Sequence, residues 1–200
     1  MNLLKHLLTL LAVIWLTACA SLTKQSTPQQ YNLSIADPNR VQFEGKGAGA
    51  GIALMSSMGP MGVALGVAID VGIGKDIENP MKEAGFDVHM AMETGLQQAY
   101  EEPVQWQWVE ASAETQLRLK KYGFKILPGG DDLTAAYVEL EWVEGEKVTT
   151  VVYPNDFIAD GYTASGQPLT LLKERGEIGK ELMEQAISLV IKRMVQKLSK

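Results

Sequence analysis

The chain has 200 residues, 46% of them hydrophobic and 21% charged, with a formal net charge of −6 at pH 7. That length fits one ordinary domain, or one domain and an appendage, with room for a real core. The acidic balance lacks the basic footprint of a nucleic-acid binder and offers no polybasic segment for anionic lipid headgroups, while one cysteine and two histidines exclude a disulfide framework and a histidine-rich metal site.

The chain opens Met1-Asn2-Leu3-Leu4-Lys5-His6 and continues from Leu7 to Leu16 almost without polar atoms. A short basic start, a short apolar run and small residues at its end form a secretory signal. The last four residues, Leu16-Thr17-Ala18-Cys19, resemble a bacterial lipobox. The resemblance implies a signal peptide over 1–18 that is cut before Cys19. It also implies that Cys19 carries lipid, palmitate included, on its sulfur and amine. Ala20 follows the cysteine where an Asp would retain the protein at the inner membrane, so the resemblance implies an outer-membrane lipoprotein facing the periplasm. Cleavage removes 18 residues and one cation, Lys5, leaving 182 residues with a formal charge of −7. An acylated Cys19 leaves no thiol for a disulfide, a metal or a nucleophile.

Residues 19–40 hold Ser, Thr, Gln, Asn, Pro28 and Pro38 with few large apolar groups, and this composition predicts a flexible tether. Residues 41–75 form a glycine-rich apolar segment, with 23 uncharged residues between Lys46 and Asp70. The length suits a membrane span, but Gly and Ala dominate and Gly59-Pro60 breaks the run, so the expectation is a helical hairpin that does not cross the bilayer. Gly62, Gly66 and Asp70 recur every fourth residue, as do Ala64 and Ala68, a spacing that brings two backbones close. Two readings are open: a segment packed on the domain, or a hairpin that dips into the bilayer or self-associates into a homo-oligomer.

Residues 76–200 read as the folded domain. Met81, Ala84, Val88, Met92, Leu96 and Ala99 place one apolar stripe on a helix over 76–100. Val104 to Trp108 alternates as a strand. Ser112 to Gly123 fits a capped helix, followed by a short strand over 124–127. Thr134–Val143 and Lys147–Tyr153 form a hairpin around Gly145, with Ala136, Val138, Leu140 and Trp142 on the inner face. Phe157–Ala164 fits a further strand. Glu174–Leu198 is a long helix whose inner face holds Ile178, Leu182, Ala186, Leu189, Met194 and Leu198, widened by Met183, Ile187 and Ile191. The expected fold class is α+β, an antiparallel sheet with helices packed on one face, plus the glycine-rich hairpin. The succession over 112–198, with Lys120-Lys121-Tyr122-Gly123-Phe124 at its centre, is similar in pattern to small envelope lipoproteins of the YajG kind. That kind implies no settled biochemical role.

Several short motifs resemble sites of chemistry. Gly45-Lys46-Gly47-Ala48-Gly49-Ala50 fits G-x-G-x-x-G/A with Asp70 downstream as a ribose ligand, but Gly59-Pro60 cuts its helix early and no alternating strand and helix follow. Gly72-Ile73-Gly74-Lys75-Asp76 lacks both the first glycine and the closing hydroxyl of a phosphate loop. His89 stands alone after signal removal, with no nucleophile elbow to pair with it. Trp106 and Trp108 share one face of a strand and form a candidate binding surface for sugar rings, or else two core residues. No catalytic residue, cofactor or metal site is assigned. The expected role is non-catalytic, binding to and helping assemble or regulate an envelope complex through a protein partner. The alternatives are a membrane-active protein working through 47–69 and, further off, an enzyme on cell-wall glycan or a nucleotide.

Overall fold

The computed structural model describes residues 29–37, 39–100, 106–109, 115–129 and 132–199. The signal segment, Cys19 and residues 20–28 lie outside the described residues. In chain order the elements are β1 (Gln29–Ile35), β2 (Gln42–Glu44), α1 (Lys46–Met58), α2 (Pro60–Glu83), α3 (Val88–Ala99), β3 (Trp106–Trp108), β4 (Thr115–Ile126), β5 (Leu133–Glu144), β6 (Lys147–Tyr153), α4 (Asn155–Ile158), β7 (Gln167–Pro168), α5 (Leu169–Glu174) and α6 (Gly176–Leu198).

The fold is α+β. Its sheet runs β3-β1-β4-β5-β6, with β2 also on β4 and β7 on β5. The period-two pattern of β5 buries Ala136, Val138, Leu140 and Trp142 and leaves Tyr137, Glu139 and Glu141 half-exposed on the other face. Helix α6 lies across β5 and β6. One continuous core joins Met81, Met92, Leu96, Ile187, Val190 and Ile191 of the helices to Leu119, Phe124, Val138 and Leu140 of the sheet.

The expected all-antiparallel sheet is corrected to a mixed one. Strand β1 runs parallel to both β3 and β4, and β2 runs parallel to β4. Parallel neighbours need a long crossover, and α1, α2 and α3 lie in the connection from β1 to β3. The expected tether over 19–40 is corrected from residue 29 onward. Tyr31 and Leu33 are buried in β1, an apolar alternation that the polar average of the segment conceals. The boundary between 41–75 and 76–200 also dissolves. Helix α2 runs unbroken across it and buries Gly74, Ile77, Glu78 and Met81.

The helix expected over 76–100 is two helices. Helix α2 ends in a Schellman arrangement at Gly85, φ +80°, with Gly85 N–H donating to Lys82 O and Phe86 N–H to Met81 O. Asp87 then caps α3 by accepting from Met90 N–H at 2.9 Å. The helix expected over 112–123 is, over its described residues from Thr115, the first part of β4. Leu117, Leu119, Tyr122 and Phe124 are all buried, and the ladder with β5 shifts register between Leu119 and Lys121. This bulge turns two period-two pairs into a spacing that imitates a helix. Phe157–Ala164 is a short helix and a turn, with Phe157 set edge-on against Tyr153 and Tyr162. In α6 the buried line is Met183, Ala186, Ile187, Val190, Ile191 and Met194, while Ile178, Leu182, Leu189 and Leu198 sit at its shoulders.

Candidate functional site

The most unusual surface is the arm formed by α1 and the first half of α2. Gly59, φ +58°, turns the chain between them, and Pro60 opens α2 at a position whose N–H has no helical partner anyway. The two helices meet along glycines. A Cβ on Gly66 would lie 2.3 Å from Gly47 O and 2.9 Å from Gly51 Cα, and one on Gly62 would lie 2.5 Å from the Leu54 carbonyl carbon. No side chain fits at Gly47, Gly62 or Gly66, so the backbones touch there. Among the described residues α1 has α2 as its substantial packing partner.

The large exposed side chains of the arm are apolar. Ile52 is 75% exposed, Met61 64% and Val67 60%, and Met55, Met58, Val63, Leu65 and Ile69 are exposed as well. Eight of the twelve exposed large apolar side chains among the described residues therefore lie on this arm. Soluble proteins scatter such residues singly, and a contiguous cluster marks an interaction surface. Of the four small residues singled out by spacing, Gly62 and Gly66 are buried in the seam, whereas Ala64 and Ala68 are exposed on the outside.

Asp70 closes the base. Its carboxylate accepts from Gly47 N–H at 2.6 Å and Gly45 N–H at 3.4 Å, which satisfies donors at the start of α1 with a negative charge where the helix dipole favours one. This contact decides the G-x-G-x-x-G/A reading. The amides that would receive a pyrophosphate are held by a carboxylate from the same chain, and Asp70 does not reach outward for a ribose. Sequence spacing had the clue, since Asp70 continues the Gly62, Gly66 series on the face that meets α1. Lys46 pairs with Asp132 and ties the base of the arm to the domain.

The remaining candidates do not converge. Gly72 to Asp76 lie inside α2 and form no loop. His89 is exposed in the first turn of α3. The backbone of Trp106–Trp108 forms an edge strand parallel to β1. The side chains of both tryptophans lie outside the described residues. An open cleft of about 550 Å³ lies between α3 and α6, lined by Asp87, Gln98, Lys180, Glu181, Glu184 and Ser188 among others. No group of three or more metal-ligating side chains assembles among the described residues. Burial pushes the phenols of Tyr31 and Tyr122 up to about 12, with the carboxylates of Glu93 in one case and Glu78 and Asp87 in the other adding to it. These are packing tyrosines, and the Tyr122 hydroxyl bonds to Asn39 at 3.0 Å. Neither a protein-family model nor a curated protein matches this chain.

Proposed function

We propose that this is a lipid-anchored envelope protein with a non-catalytic binding role, and that the α1–α2 arm is its working surface. The observation that carries the reading is the arm itself, a glycine-packed helical pair whose large exposed side chains are apolar. Leu16-Thr17-Ala18-Cys19 supports anchorage through acylated Cys19, facing the periplasm from the outer membrane. Two or three acyl chains hold a protein stably where one holds it only marginally. With Cys19→Ser, the unprocessed precursor should accumulate in the cell.

The role of the arm is tested by photo-crosslinking in native envelopes. A photoreactive residue replaces Met55 on the arm or, in a separate protein, Gln185 beside the α3–α6 cleft. Adducts from position 55 and none from position 185 are the expected result. Adducts from position 185 alone would move the working surface to the cleft.

A further inference from the structure

We propose that the arm inserts as a hairpin into one leaflet of a phospholipid bilayer, with its tip in hydrocarbon and its base in the headgroup layer. This rests on the reading of the arm as the working surface, and it names what the arm binds. The first observation is that α2 carries large exposed apolar groups on both flanks of its glycine seam. On α2 the exposed Met61, Leu65 and Ile69 lie on one flank of the glycine seam and Val63 and Val67 on the other, while on α1 Ile52, Met55 and Met58, three residues apart, lie along one side and the exposed Ser56 and Ser57 on another. A partner protein covers one stripe of a helix, whereas α2 is apolar on both flanks of its packed seam, as a surrounded helix is. Only the glycine seam between the two helices is hidden.

The second observation is where the polar groups go. Hydrocarbon offers no hydrogen bonds, so every polar group entering it must be satisfied within the segment. Ser56 and Ser57 carry the arm's hydroxyls, and they donate to Ala53 O at 2.9 Å and Leu54 O at 3.2 Å. At the tip, Gly59 N–H donates to Met55 O and Gly62 N–H to Gly59 O. Pro60 has no N–H to leave bare. Charges begin only at the base, with Lys46, Asp70 and Arg40, the last beside Val67 and Asp70. Arg40 there lies level with lipid phosphates while the tip is immersed.

The third observation is length. Helix α1 has 13 residues, so it reaches roughly 20 Å at 1.5 Å per residue. A hydrocarbon core is about 30 Å thick. The arm therefore passes through one leaflet and stops. In keeping with that, no described helix is long and apolar enough to cross a membrane.

The test reads depth in the full chain carrying Cys19→Ser. An environment-sensitive fluorophore is attached to a single cysteine at the tip, Met58→Cys, or near the base, Lys75→Cys. Vesicles of phosphatidylethanolamine and phosphatidylglycerol carry nitroxides at shallow or deep acyl positions. The tip probe should be quenched more by deep than by shallow nitroxide and be protected from aqueous iodide. The base probe should show the reverse. Adding Ile52→Asp and Val67→Asp should restore iodide quenching at the tip, and deep quenching that survives this change would overturn the proposal. So would a tip probe open to iodide on vesicle-bound protein. A tip shielded from both quenchers, with self-quenching that rises with the labelled fraction, would assign the arm to a second copy of the chain. In those cases crosslinks from position 55 would still stand, so the reading of the arm and the identity of what it binds fail separately.

Discussion

The arm and α6 are both helical, both rich in apolar residues, and their side chains end in opposite places. Helix α6 divides its circumference. Met183, Ile187, Val190, Ile191 and Met194 are almost fully buried against the sheet, and Glu181, Lys192 and Lys197 face water. The arm has no charged face at all between Lys46 and Asp70. An amphipathic helix states in its sequence which side is core and which is solvent. The arm makes no such division, because its single packed side is built from the absence of side chains. Glycine at the seam means that contact between the helices hides almost no apolar area, so the large residues remain for another environment.

The comparison breaks most visibly at Ile187. It is fully buried under the sheet, and Ile187→Ala should cost about 2–5 kcal/mol, the lost transfer energy plus the cavity left behind. Denaturant unfolding at constant slope measures it. Leu182→Ala, at the shoulder of the same helix, should cost clearly less. A cost at Ile187 no larger than a surface change would mean that α6 is not docked and that the two regions are alike.

Alkaline pH should strike the domain and spare the arm, which holds no tyrosine. Tyr31, Tyr122 and Tyr137 are held up at about 12, first by burial and then by nearby carboxylates, and burial raises Tyr153 as well. In the unfolded chain they ionise near 10. A group with a raised folded pKa contributes stability that is whole below the unfolded value and lost as pH rises through the folded one. Stability should therefore hold to about pH 10 and fall between about 10 and 12. Phenolate absorbance should appear together with unfolding. Phenolates that titrate near 10 in a chain that is still folded would contradict the burial.

A smaller effect separates the base of the arm from the core. Asp70→Asn removes the charge at the start of α1 and should cost about 0.3–1 kcal/mol, the usual worth of a carboxylate at a helix N-terminus. Faster amide exchange confined to residues 46–58 would report it, with the amides around Ile187 unchanged. Loosening that spreads through α6 would mean that arm and domain unfold as one unit.

The sequence made the domain more legible than the arm. The β5–β6 hairpin could be read from Ala136, Val138, Leu140 and Trp142, because a strand with one wet face writes its burial in every second residue. Strand β4 could not. The register shift after Leu119 changed the phase of its alternation, and two offset strand segments imitate a helix. Strand β1 was hidden for another reason, since Tyr31 and Leu33 are too few to lift the average of a polar segment. In the arm, composition disclosed glycine contact and the bend at Gly59-Pro60. Whether the outward face is covered depends on what α1 packs against, and that is set by the tertiary path of α2 into the core at Ile77 and Met81. The role of Asp70 was visible only as spacing, because a carboxylate four residues beyond Gly66 reads equally as a surface charge until the start of α1 is placed beside it.

The smallest expected effect sharpens the comparison furthest. Ile52→Ser and Val67→Ser remove large apolar groups from helices, as Ile187→Ala does, yet each should change stability in water by less than about 0.5 kcal/mol. Isoleucine, valine and serine have similar helix propensities, so the substitutions leave the backbone preference nearly untouched. Ile52 and Val67 are 75% and 60% exposed, so folding removes little of their surface from water and little transfer energy is at stake. No cavity forms, because nothing packs over them. The same pair of changes should nonetheless open the Met58→Cys tip probe to iodide on vesicles, since there the lost groups are the ones entering hydrocarbon. A cost of 2 kcal/mol or more in water (the size of a core deletion) would mean that these side chains are already covered in solution. If that cost grew with protein concentration, the cover would be another copy of the chain. The arm would then be an interface completed in water, and the contrast with α6 would reduce to which molecule supplies the other half of the core.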